Sequence, residues 1–232
     1  MKSPLAILSI SLSFVAAAAM AQPVVEVSTV RYPELKSYAT MVKGLDAFDV
    51  ERRRAPQAGL RFLLRPATRE DTLEGLELKI SGDMVTLPVA LDADGGFVLP
   101  RSAAALQDRA ELVLNKKRNS FRWRPDVRSP GVPANARRLG DLRVQCAVQW
   151  AIEQEGLAPQ ARAALAVNGG PCRAPTMHTG FEAPAPLLGA WLKHGDRREP
   201  IPVNRHQRRV FNPPLADRTW SDDTLVEFRF AN

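Results

Sequence analysis

Two stretches of this 232-residue chain carry one pattern. Gly82-Asp83 is followed by Leu87-Pro88-Val89, Phe97, Pro100, Leu106, Asp108, Leu112 and Leu114. Gly195-Asp196 is followed, at the same steps after one inserted residue, by Ile201-Pro202-Val203, Phe211, Pro214, Trp220, Asp222, Val226 and Phe228. Short apolar runs broken by Pro and Gly read as strands and turns. A pattern met twice therefore constrains the chain to two related β-rich units. The stretch rich in Pro125, Pro130, Gly131 and Pro133 marks the boundary, giving a first unit over 22–133 and a second over 134–232.

Within the first unit, Val24 to Val27 is a strand candidate. Residues 33–45 suit a helix, with Pro33 in its first turn and Leu35, Tyr38, Met41, Val42 and Leu45 on one face. Asp49 to Gln57 reads as a charged loop. Strands are expected at Leu60–Leu64, Leu76–Ile80, Val85–Leu91, Phe97–Leu99, Glu111–Asn115 and Phe121–Arg124. The turn Asp92-Ala93-Asp94-Gly95-Gly96 joins two of them as a hairpin of type I′. In the second unit, Leu139 to Gln154 alternates like a strand at Leu142, Val144, Cys146, Val148, Trp150 and Ile152. Its length and its content of good helix formers favour a helix. Further strands are expected at Met177–Phe181, Gly189–Lys193, Ile201–Val203, Val210–Asn212 and Leu225–Phe230. Each half thus reads as a helix followed by a strand meander. The fold class is α+β, dominated by antiparallel β units of meander or sandwich type, each preceded by a helix, with one disulfide.

The segment Pro88-Val89-Ala90-Leu91-Asp92-Ala93-Asp94-Gly95-Gly96-Phe97-Val98-Leu99-Pro100 resembles the strand-turn-strand of transthyretin-like or carboxypeptidase-regulatory-like β-sandwich modules. The resemblance covers about a dozen residues of each half. It implies non-catalytic scaffolding or binding units.

The first 21 residues read as a secretory signal peptide: Lys2, an apolar run from Leu5 to Val15, and Ala19-Met20-Ala21 before Gln22. The apolar run is shorter than the roughly 20 residues a membrane helix needs, and no later stretch approaches that length. The expected mature protein has no membrane span and is periplasmic or secreted. Its two cysteines, Cys146 and Cys172, are then expected as a structural disulfide, since a redox-active pair usually shows Cys-x-x-Cys spacing. The net charge of +7 serves solubility by default or meets an anionic envelope component, and export argues against nucleic acid.

Motifs for hydrolysis and for nucleotide binding (Gly-x-Ser-x-Gly, Ser-x-x-Lys, His-Glu-x-x-His, Walker and dinucleotide loops) do not occur in the sequence. Asp92-x-Asp94-Gly95 lacks the closing glutamate of a calcium loop. His178, His194 and His206 have no helical metal-ligand spacing. No catalytic residue, metal or cofactor is therefore expected. Two binding candidates remain. Phe121-Arg122-Trp123-Arg124 would set aromatics on one strand face and cations on the other, an aromatic platform with a basic edge or a half-buried core strand. The loop Asn204-Arg205-His206-Gln207-Arg208-Arg209 could hold phosphate or carboxylate oxygens in guanidinium forks, or be a solvated turn. The ligand-binding candidates are accordingly Arg122, Trp123, Arg124, Arg205, His206, Arg208 and Arg209. The expected function is a non-catalytic envelope protein that binds an anionic or glycan ligand or a protein partner. An envelope-directed hydrolase is the alternative.

Overall fold

The computed structural model describes residues 31–167, 169–204 and 206–231. The expected signal peptide, the strand at Val24–Val27 and Arg205 lie outside them. Strand content is 33% against 25% helix, with several antiparallel sheets, four helices and one disulfide among the described residues.

The first half contains β1 (Pro33–Ser37), α1 (Tyr38–Glu51) with a 3-10 turn at Arg52–Arg54, β2 (Gly59–Pro66), β3 (Leu78–Ser81), β4 (Thr86–Val89) and β5 (Gly96–Phe97). It continues with α2 (Ala103–Gln107), β6 (Glu111–Lys117) and β7 (Phe121–Arg128). The second half contains β8 (Ala136–Arg138), α3 (Leu139–Glu153), α4 (Pro159–Val167), β9 (Phe181–Glu182), β10 (Leu187–His194), β11 (Arg197–Ile201), β12 (Val210–Phe211) and β13 (Leu225–Phe230).

Several local expectations change, and the strand expected at Met177–Phe181 is reduced to the two residues of β9. The helix expected over 33–45 begins only at Tyr38, because Ser37 caps it by accepting from Thr40 N at 3.3 Å. The residues before the cap form edge strand β1, where Pro33 is tolerated, and pair with β6. The helix then runs into the start of the expected loop, ending at Glu51 before the 3-10 turn Arg52–Arg54. The Asp92–Gly96 turn joins no hairpin: β4 pairs with β3, whereas β5 pairs with β2 in another sheet. Gly95 alone takes positive φ there, +77°, and its N–H donates to Asp92 O at 2.9 Å. A type I turn closed by a left-handed glycine fits this, and a type I′ turn does not. Finally, Pro125 sits inside edge strand β7 opposite Phe62, so the linker starts only after Arg128.

The two four-stranded sheets have orders β1-β6-β3-β4 and β8-β13-β10-β11. In each, the strand before the long helix pairs with the last strand, which flanks an internal hairpin. This order is not a simple meander. Beside them, β2 pairs with β5, as β9 does with β12. Phe62 stacks on Phe97 at 5.6 Å and Phe181 on Phe211 at 5.9 Å, both tilted by 31°.

Helix α3 serves two cores. Val144, Val148 and Ile152 join the cluster of Tyr38, Met41, Leu64, Ile80, Leu112 and Leu114. Leu139, Leu142 and Cys146 join Phe181, Leu192, Phe211, Trp220, Val226 and Phe228. Two apolar faces on one helix explain why its sequence alternates like a strand. Cys146 on α3 is bonded to Cys172. No helix among the described residues is long and apolar enough to cross a membrane.

Candidate anion-binding cleft

The N-terminal turn of α3 packs hard against Arg54 and the loop before β13. A Cβ at Gly140 would stand 2.4 Å from Arg54 O and 3.0 Å from Asp222 Cβ, so only glycine permits this approach. The first N–H groups of α3 donate inward, Leu139 N to Thr224 O at 2.8 Å and Gly140 N to Asp222 O at 2.9 Å. Asp141 accepts from the amide and hydroxyl of Ser129. The helix end is therefore satisfied within the protein.

One turn further on, Arg143 organises the loop. Its Nε donates to Leu215 O (3.0 Å), Nη1 to Asp222 Oδ1 (2.6 Å), and Nη2 to Asp217 O (2.6 Å) and Trp220 O (3.1 Å). All three nitrogens of this buried guanidinium are used, so Arg143 builds the wall. Asp222 stands at the position that Asp108 holds in the first copy of the repeated pattern. Asp108 Oδ2 does accept from Met84 N and Val85 N, each at 2.8 Å, but Asp222 instead pairs with arginines.

Between this wall and the end of α1 lies a cleft of about 260 Å³. Four guanidinium groups line it (Arg54, Arg143, Arg173 and Arg218) against two carboxylates, Glu51 and Asp222. Both carboxylates are already engaged. Glu51 accepts from Arg54 Nε at 2.8 Å and from Arg173 Nη2, and Arg54 Nη1 stands 3.6 Å from Asp222. Burial would push the Glu51 carboxyl up, but Arg54 and Arg173 outweigh it and hold the group below its ordinary 4.5. Arg218 is exposed and makes no ion pair among the described residues. Leu215, Ala147 and Trp220 supply an apolar floor, with Arg197 stacked 3.6 Å from the Trp220 ring centroid. Donors of Arg54, Arg173 and Arg218 thus remain for oxygens of a small anion.

The residues singled out by sequence lie elsewhere. On β7, Phe121 is buried and Trp123 half-buried, edge-on to Phe97 at 5.9 Å, with Trp123 Nε1 donating to Glu34 Oε1 at 3.2 Å. Arg122 and Arg124 face outward, and Arg124 reaches Glu153 at 3.3 Å. His206 and Arg208 are exposed, and Arg209 donates to Ala183 O at 3.1 Å. None of these seven lines the cleft. Its arginines come from four separate segments, and the only local sign of them is the Arg52-Arg53-Arg54 run and the Cys172-Arg173 pair.

Asp92 and Asp94 both hold Arg61, at 3.2 and 2.8 Å. Among the described residues, no group of three His, Cys, Asp or Glu side chains is placed to hold a metal ion. No family model, curated protein or solved structure matches the chain.

Proposed function

We propose that this is an exported envelope protein that binds a small anionic ligand, or an anionic group of a larger envelope partner, without transforming it. The observation that carries the reading is the excess of guanidinium groups over carboxylates in the cleft between α1, α3 and the loop before β13. Spare donors on fixed elements bind oxyanions in pairs of charge-assisted bonds. The signal-like N-terminus and the disulfide support export into an oxidising compartment. The repeated sheet order supports two copies of one β-rich unit, with the cleft at their junction.

The test is a titration of the mature protein with inorganic phosphate, read by NMR at the arginine Nε resonances, at low and high salt. The expected result is saturable shifts of Arg54, Arg173 and Arg218 that weaken steeply with salt. Shifts spread over Arg122, Arg124 and Arg208 instead, or no saturation, would remove the cleft from consideration.

A hydrolase is the second reading, and one contact favours it. Ser221 lines the cleft with its Oγ 3.3 Å from His194 Nδ1, within reach of a nucleophile and its base. Turnover of chromogenic esters that vanishes in Ser221→Ala and His194→Ala would establish it.

A further inference from the structure

The cleft arginines differ in what holds them. Arg54 sits in the turn ending α1, and Arg143 is buried on α3. Arg173 is carried by an irregular segment between α4 and β9. Its neighbour Cys172 is bonded to Cys146 on α3, one helical turn beyond Arg143. Among the described residues the segment is otherwise held by local backbone bonds, with Gly170 N donating to Leu165 O at 3.0 Å and Met177 N to Ala174 O at 3.1 Å. Gly170 takes φ +78° and lies against the Trp150 indole, where a Cβ would come within 2.9 Å of Nε1. Arg173 N and Ala174 N both reach Gly170 O, at 3.2 and 3.3 Å, and Ala174 is buried. The Arg173 side chain itself is about half exposed and meets the protein through Glu51.

We infer that the Cys146–Cys172 disulfide sets the anion affinity of the cleft by fixing Arg173, so that the oxidised protein is the binding form. The inference rests on the anion-binding reading of this cleft. Reduction breaks the S–S bond: a dithiol reductant supplies two electrons and two protons, both cysteines become thiols, and the reductant closes to its own disulfide. Cys172 is then free of α3, and the Arg173 guanidinium is no longer confined beside Glu51. Arg54 keeps Glu51 to itself, and the ligand loses one charged fork. A chain synthesised reduced would acquire its ligand only after export and oxidation.

The experiment titrates inorganic phosphate into oxidised protein, into protein reduced with dithiothreitol, and into Arg173→Ala in both redox states, with near-UV circular dichroism to follow folding. Loss of one charge-assisted contact weakens binding about tenfold. The expected result is that weakening on reduction, the same weakening in oxidised Arg173→Ala, no further loss when that variant is reduced, and partial recovery in Arg173→Lys. Equal affinity in oxidised and reduced wild type overturns the inference while leaving the cleft intact. A loss on reduction as large in Arg173→Ala as in wild type also overturns it, because the disulfide would then act on the whole fold. No phosphate binding by the oxidised wild type overturns the cleft reading and this inference together.

Discussion

Asp126 is 3% exposed and stands among three guanidinium groups: Arg128 at 3.0 Å, Arg61 at 3.3 Å and Arg137 at 3.7 Å. Arg137 is buried as well, and burial together with nearby Arg128 pushes its pKa down to about 10. It donates to Val127 O and to Gln145 Oε1, tying β7 to β8 and α3. Removing the carboxylate would take the nearest countercharge from that buried cation and leave only Asp141 acting on it, so Asp126→Ala should cost about 3–5 kcal/mol in urea unfolding. Glu51 is the cleft's equivalent, with a milder outcome. Its folded pKa is depressed, so its contribution is present above the unfolded value of about 4.5 and fades as pH falls through the lower folded one. Melting curves of wild type and Glu51→Gln should therefore lie apart at pH 6 and converge only as pH falls below 4.5 through the lower folded value. Curves parallel down to acid pH would show that Glu51 gives no ionic stabilisation.

At the scale of elements, the contact between α1 and α3 depends on Gly44. A Cβ there would stand 2.7 Å from Ile152 Cδ1 and 3.3 Å from Val148 Cγ1. Ile152 can yield a little to alanine, but Gly44→Leu would push the helices apart and should lower stability by about 2–3 kcal/mol by denaturant titration. The disulfide belongs to this scale too. It closes a segment with 26 residues of separation, and the chain-entropy relation gives about 3.5 kcal/mol for its loss. Replacing both cysteines by alanine should lower the melting midpoint accordingly. Elements whose own residues carry a clear pattern are legible in the sequence whatever they pair with: β3, β6, β10, β13, helix α3 and the cysteine pair. Pairing with remote strands is not. Pro33 to Ser37 looks like the opening of a helix, and only β6, far along the chain, makes it a strand. The Asp92–Gly96 turn has hairpin chemistry, yet Phe97 leaves for a different sheet because its ring packs on Phe62. Residues of the cleft were hidden for the same reason. Arg54, Arg143, Arg173 and Arg218 show no common spacing, and folding alone brings them together, whereas Trp123 and its flanking arginines are conspicuous in sequence because core strands alternate that way.

At the scale of the molecule, the equivalent sheet orders suggest two units that could stand alone, but α3 argues that they cannot. Val144, Val148 and Ile152 complete the core of the first half from a helix that begins the second. Without α3, the faces of α1 around Gly44 and the underside of β7 would meet water, and the area lost would fall on well-packed buried side chains. Arg138 adds a polar tie across the junction, donating to Arg54 O at 2.5 Å. A shared helix with apolar contacts on two faces couples both cores, so unfolding either removes part of the other. The whole chain should melt in one calorimetric transition, with calorimetric and van't Hoff enthalpies equal. A fragment covering 31–133 should show no cooperative transition, while the same fragment extended through Glu153 should regain part of one, because it recovers the three α3 side chains. Two separated transitions in the full chain, or a cooperative melt of the short fragment, would mean that the halves are stable by themselves. The cleft would then lie at a loose junction and could not keep Arg54, Arg173 and Arg218 in fixed register, so cooperativity of unfolding is also a test of whether the anion site is preorganised.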